Sequence, residues 1–288
     1  MFIIIGFVVV IVAVITGFLV AGGNLLLMLQ YAEFIVIVGS ALGSLLISAP
    51  PDLIKKIIAE IPKLFKPDHY SKEDYLSILK SFNDLFIVAQ RDGLLSIEKH
   101  IENPEESDIL SKNPKFINNL FLRNFFCDTL KVMLSGGVPP HELEGLMDVE
   151  IETFEIESKP ISATVARVGD SLPGLGIVAA VLGIIITMSS IDQGAQVVGE
   201  HVAAALVGTF LGVLLAYGFV NPLAAALEHN AEIKSRLLVT IKSCIVAYAK
   251  GNPPIISVEI GRRTIFSDQR PTFAELESYI RSKANVGT

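Results

Sequence analysis

The chain has no lysine or arginine between residues 1 and 54, or between 168 and 233, although it carries 23 of them. All fall in two blocks, Lys55–Arg167 and Lys234–Lys283. The bare stretches are also the most apolar. That is the pattern left when basic residues stay on the cytoplasmic side of a bilayer and the far-side connections carry none. Cysteine is scarce as well. Cys127 and Cys244 both fall in the basic blocks, hence on the cytoplasmic side, and read as reduced thiols rather than a disulfide or a metal site. A net charge of −7 argues against nucleic acid as a partner. There is no phosphate loop, no nucleophile elbow and no metal-spaced His/Cys cluster. His69, His100, His141, His201 and His229 are scattered and read as solvated or capping side chains. Neither an enzyme, a metal site nor a cofactor is expected.

What the chain does have is apolar bulk. Apolar residues make up 51% of it and the mean hydropathy is +0.55, with that character concentrated in segments near 2–21, 31–49, 172–190 and 201–220. Each is long enough for a helix to cross a hydrocarbon core about 30 Å thick, which takes roughly 20 residues. The first segment has no basic residues before it, exceeds a signal-peptide core in length, and is followed at once by a second span. It is therefore expected to remain as a membrane helix. The hairpin connections Gly22–Gln30 and Ile191–Glu200 hold no basic residue, which places them outside and both termini and the loop 50–171 in the cytoplasm. The fold class expected is an all-α integral membrane protein, with four transmembrane helices and a large helical cytoplasmic domain. Its divisions are 1–49 for spans one and two, 50–171 for the cytoplasmic domain, 172–220 for spans three and four, and 221–288 for a helical extension and tail.

Inside the loop, Pro50-Pro51 ends span two. Tyr75, Leu79, Phe82, Phe86 and Ala89 recur every three or four positions, which predicts a helix over 72–90. A second helix is expected over Phe116–Leu134, stopped by Gly136-Gly137. Pro139-Pro140 then opens a long acidic helix that runs towards span three, its first half crowded by Glu142, Glu144, Asp148, Glu150, Glu152, Glu155 and Glu157. Span four has no stop except Pro222, so its helix should continue to Gly251. The tail after Pro253-Pro254 reads as a short extended stretch and then a small helix near Phe273–Arg281.

Small residues mark spans three and four: Gly174, Gly176, Ala179, Ala180 and Gly183 in one, and Ala204, Gly208, Gly212 and Ala216 in the other. The second set recurs every four residues. Small residues at that spacing let helix backbones approach closely in lipid. They serve either packing within one subunit or a smooth face against another subunit or a central helix. Thr187 and Thr209 are the chief polar groups there, and such hydroxyls usually bond back to their own helix. Glu33, Asp170, Asp192 and Glu200 all lie near span ends. No ionisable group is expected near mid-membrane, although one is the usual mark of a proton relay; a proton path would then need a carboxylate from a partner. Pro173 and Pro222 sit at the cytoplasmic ends of spans three and four and suit either a static bend or a hinge. Arg91 to Glu98 reads as a charged surface turn with Gly93 inside it.

Three runs together carry a family likeness: LPGLGIVAAVLGIIITM (172–188), VGEHVAAALVGTFLGVLLAYGFVNPLA (198–224) and RDGLLSIEKHIENPEES (91–107). In this order and layout the chain resembles the MotA family of flagellar motor stator proteins, part of the wider MotA/TolQ/ExbB proton channel family. TolQ and ExbB energisers differ in having three spans. The resemblance implies a bacterial inner-membrane subunit, five copies of which surround two copies of a MotB-like, single-span, peptidoglycan-binding partner. The partner's membrane aspartate carries the ion, and the cytoplasmic rim drives the rotor protein FliG. It implies that Thr209, Ala180 and Thr187 lie on the ion path, that Pro173 and Pro222 couple ion passage to movement, and that Arg91 and Glu98 face the rotor. Gly176, Gly183, Ala204, Gly208, Gly212 and Ala216 become the packing faces of the membrane helices. Sodium-driven members carry a threonine where this chain has Ala180, so protons are the expected ion. The rival readings are a TolQ/ExbB-type energiser of an outer-membrane process and a non-conducting membrane scaffold.

Overall fold

A computed structural model of the chain describes residues 2–65, 70–189 and 191–282; His69 lies outside them. The helices are α1 (Phe2–Val20), α2 (Tyr31–Ser48), α3 (Pro51–Glu60), α4 (Lys72–Asp92), α5 (Glu98–Glu102) and α6 (Pro114–Asn118). They continue with α7 (Leu120–Ser135), α8 (Pro140–Ser189), α9 (Ala195–Leu215), α10 (Asn221–Ala249), α11 (Pro254–Arg262) and α12 (Phe273–Ser282). Among the described residues, four helical stretches are long and apolar enough to cross a membrane: Phe2–Val20, Leu25–Ser48, Pro140–Ser189 and Ala195–Ala249.

Packing divides the chain into two units, one of residues 1–68 with 157–231 and one of 69–156 with 232–288. Hydropathy places the divisions elsewhere, at 49/50, 171/172 and 220/221. The difference comes from α3 and the turn after it. Pro51 takes the first position of α3, where its missing N–H costs nothing. Ile57 and Leu64 then bury themselves among Val165, Ala224 and Leu227, parts of α8 and α10 in the same unit. The segment after span two thus packs on the extensions of spans three and four.

The first unit is apolar outside as well as in. Helix α1 buries none of its residues, and large side chains such as Val9, Ile47, Ile185 and Leu206 stand exposed. A helix that is hydrophobic all round and not covered by protein needs a lipid surround.

The second unit has a conventional core. Phe82, Phe86, Phe116, Phe125 and Phe126 are fully buried. Phe82 stacks on Phe126 at 4.2 Å, and both meet Phe116 edge-on at 5.6 Å. Helix α4 covers the predicted 72–90 span. It starts at a reciprocal cap in which Ser71 Oγ accepts from the Asp74 amide and Asp74 accepts from the Ser71 amide. The single helix expected over Phe116–Leu134 is two: the chain breaks at Asn119, whose side chain accepts from the Leu122 amide and caps α7. The stretch after Pro253-Pro254 is the helix α11 rather than extended chain, Pro254 being its first residue. Cys244 and Gly261 explain its placement, since a Cβ on Gly261 would lie 2.1 Å from Cys244 Sγ. Burial pushes both free thiols, Cys127 and Cys244, to higher pKa, Cys127 to about 11. His100 is not solvated as the sequence suggested. It is buried, with Nδ1 2.9 Å from Ser107 Oγ, and burial lowers its pKa.

Candidate functional site: the seam between α8 and α9

The small residues of spans three and four meet each other. A Cβ on Gly176 would lie 2.8 Å from the Gly208 carbonyl oxygen and 3.1 Å from Gly212 Cα. One on Gly212 would lie 2.6 Å from the Leu172 carbonyl oxygen, and one on Gly183 would lie 2.9 Å from Ala205 Cβ. Contacts this close exist only because no side chain intervenes. Of the two uses left open by the sequence, packing within one subunit is therefore the one these glycines serve. Ala205, rather than Ala204, meets Gly183; Ala204 is half-buried, and Ala216 is fully buried beside Leu172 and Ala179.

Ala180 is buried in the seam. Thr187, also buried, donates its hydroxyl to the Gly183 carbonyl at 2.8 Å, the back-bond expected of a membrane-helix threonine. Thr209 is half-buried, next to Gly208.

Glu33 has surroundings that the sequence did not show. It lies in the first turn of α2, hence the expectation of a span end. The start of α2 packs against α9: a Cβ on Gly208 would lie 3.2 Å from Glu33 Cγ, from Ala179 Cβ and from the Ala180 amide nitrogen alike. Gly208 is about 20 Å along α9 from Ala195, at 1.5 Å per residue. Glu33 is 7% exposed, and its Oε2 is buried with no hydrogen-bond partner among the described residues. Periodicity gives faces within one helix, but not how far two helices are staggered.

The prolines sit at irregular backbone. Pro173 is inside α8, and so is Pro160, which the sequence reading did not flag. Before Pro222 the helix widens into a π turn over Ala216–Val220, closed by the Asn221 amide donating to the Ala216 carbonyl. A proline ring crowds the carbonyl four residues back and offers it no donor; widening the preceding turn relieves both. Asn221 Nδ2 donates to Asp170 Oδ1 at 3.0 Å, bridging α8 and α10 beside both Pro173 and Pro222. That bridge needs Gly169, whose Cβ would fall 1.8 Å from Asn221 Oδ1. Neither Asp170 nor Asn221 stood out in the sequence for this role.

Arg91 and Glu98 belong to the other unit. Gly93, at φ +88°, ends α4 in a conformation that side chains resist, and Leu94–Ile97 forms one tight turn before Glu98 opens α5. Ser96 Oγ donates to the Gly93 carbonyl at 2.7 Å and pins that turn. Arg91 and Glu98 are exposed, as is Leu95 between them. Arg91 forms its bidentate pair with Asp92, at 2.9 and 2.7 Å, which holds the Asp92 carboxyl below the usual carboxylate range.

Residues 4–93 match the family described as Motility protein A N-terminal, and residues 117–238 match the MotA/TolQ/ExbB proton channel family. Motility protein A of Salmonella typhimurium is 38% identical over 285 residues, covering 99% of this chain and 97% of that protein. The chain belongs to the motility protein A family. Motility protein A of Escherichia coli is 39% identical over 285 residues, covering 99% of this chain and 97% of that protein. Chemotaxis protein LafT of Vibrio parahaemolyticus is 37% identical over 275 residues, covering 96% of each. The fold is that of the family too. The solved structure of C. jejuni MotAB aligns with TM-score 0.79 at 21% identity, over 94% of this chain and 98% of that chain. The flagellar MotAB stator complex of Bacillus subtilis aligns with TM-score 0.74 at 21% identity, over 99% and 98%. In family terms, the α8–α9 seam and the start of α10 lie largely within the proton-channel match, and the Arg91 turn lies at the end of the N-terminal one.

Proposed function

We propose that the chain is the stator subunit of a flagellar motor, which with a MotB-type partner conducts protons and turns their flow into torque on the rotor. The observation that carries this reading is the near-full-length likeness to Motility protein A. The membrane-crossing helices are supplied by the first unit. Its basic-free stretches support an inner-membrane orientation with both termini in the cytoplasm. Five copies around two single-span, peptidoglycan-bound partners is the assembly that accords with the family.

The division of labour follows from the residues. Ala180 presents a methyl group, which cannot ligate sodium, and that leaves the Thr187 and Thr209 hydroxyls as the side-chain oxygens of this part of the seam. Protons suit it better. Pro173, Pro222 and the π turn are the places where α8 and α10 can change bend at least cost, and the Asp170–Asn221 bridge ties the two bends together. Arg91 and Glu98 stand on a rigid, exposed turn in the second unit. Exposed charges contribute little to stability but set encounter and register, as suits a surface that must grip and release the rotor protein FliG.

The test is proton flux into liposomes holding the chain with and without its partner. Flux only when both are present supports the reading. Equal flux from the chain alone contradicts the partner's role, and none in either case contradicts the channel. Reversal of both Arg91 and Glu98 should leave that flux intact and abolish torque.

A further inference from the structure

We propose that Glu33 is a proton-exchange group of the membrane path, taking up and releasing a proton where α2, α8 and α9 meet. This rests on the proton-driven stator reading and adds to it a carboxylate belonging to this chain.

The argument starts from charge. Glu33 is the one charged residue in 1–51, and the stretches that build this bundle, 1–54 and 168–233, hold no lysine or arginine. A buried structural carboxylate normally has a cation or several donors around it. Glu33 has no cation on those stretches, and its buried Oε2 has no hydrogen-bond partner among the described residues. A proton neutralises a buried carboxylate without any counter-ion. The surroundings fit a proton better than a metal cation, because the atoms crowded about the Gly208 position beside Glu33 Cγ are the Ala179 methyl and the Ala180 amide nitrogen, not oxygens. Gly208 itself keeps the place open, as any side chain there would press on the carboxyl stem.

A second observation lies on the same face of α9. His201, two turns nearer the start of that helix than Gly208, has its Nδ1 buried without a hydrogen-bond partner among the described residues. Two helical turns place positions 201 and 208 about 10 Å apart along the axis of α9. The other titratable groups on the packed elements are Tyr31 on α2, Asp192 on the connection and Glu200 on α9; α8 has none between Asp170 and Ser189. In the step itself, an O–H bond of a hydronium ion breaks, leaving water, as one forms at the Glu33 carboxylate, and that new bond later breaks as the proton passes on towards the partner's ion-carrying carboxylate. Nothing is oxidised or reduced.

The experiment uses the complex of the full chain with its partner in liposomes. Glu33→Gln keeps the shape and removes the exchange; it should lower proton flux by ~100-fold, the low end of what a positioned proton-transfer group contributes. Glu33→Asp should restore part of the flux and shift its pH profile. Wild-type flux with an unchanged pH profile in Glu33→Gln overturns the proposal and leaves the stator reading standing. Absence of flux in the wild-type complex overturns both. Flux that follows a sodium gradient overturns the proton assignment. If Glu33→Gln does not assemble, the wild-type complex decides through dicyclohexylcarbodiimide, which reacts with protonated carboxyls in apolar surroundings. Labelling of the Glu33 peptide that rises as pH falls supports the proposal, and an unlabelled peptide overturns it.

Discussion

The two units of this chain solve the packing problem with opposite materials. In the second unit, stacked phenylalanines fill the core, and ion pairs such as Lys242–Asp148 (2.6 Å) and Lys250–Glu144 (2.8 Å) decorate it. In the first, the closest contacts are glycine on glycine, and large apolar side chains point outward. The difference follows from solvent. In water, burying apolar area is the driving force. In lipid there is nothing to gain by hiding a leucine, so helices associate through close backbone approach. A membrane unit can therefore be wrecked by adding a methyl group, where a soluble unit is wrecked by removing a ring.

That contrast can be broken at four points, in falling order of effect. Phe126→Ala should cost about 3–5 kcal/mol, because the cavity left between Phe82 and Phe116 cannot collapse. Thermal unfolding followed by proteolysis within 70–156 would show it, with the membrane helices still inserted. Gly212→Val should cost about 1–3 kcal/mol by overpacking against the Leu172 carbonyl, and should abolish motility while the melting of the second unit stays unchanged. Normal motility in that variant would mean the seam has slack.

The third point is acid. The Lys72 ammonium, with the Thr272 amide and hydroxyl, holds the Glu275 carboxyl down at about 2, from the usual 4.5. A folded-state value below the unfolded one contributes stability above pH 4.5 that is lost as pH falls through about 2. The melting temperature of the second unit should fall across that window, less steeply in Glu275→Gln; identical slopes would remove Glu275 from the account. Smallest is Thr187→Val. Because the hydroxyl only bonds back to Gly183, its loss should cost under about 1 kcal/mol and leave motility normal. A stalled motor would give that hydroxyl a role on the ion path.

Much of this was legible in the residues. Tyr75, Leu79, Phe82, Phe86 and Ala89 gave α4 its buried face, and Pro139-Pro140 gave α8 its start, because both signals are local. Local signals also misled. Asn119 splits the Phe116 helix by capping α7, and the run after Pro254, expected to be extended, closes into α11 because Gly261 lets it sit on Cys244. The candidate site was half visible. Spacing showed that Gly208 and Gly212 share a face, but not that they face Gly176 within the same chain. Glu33 looked terminal in its own helix. What it packs against depends on the offset between α2 and α9, which is a property of packing that no single-helix pattern encodes.

The central claim is that proton flow through this subunit and its partner drives rotation. The most direct test is the swimming speed of a stator-deletion strain carrying this gene, with the proton gradient collapsed and sodium varied independently. Speed should follow the proton gradient and ignore sodium. Speed that tracks sodium, or swimming that persists without either the gene or the gradient, would contradict the account.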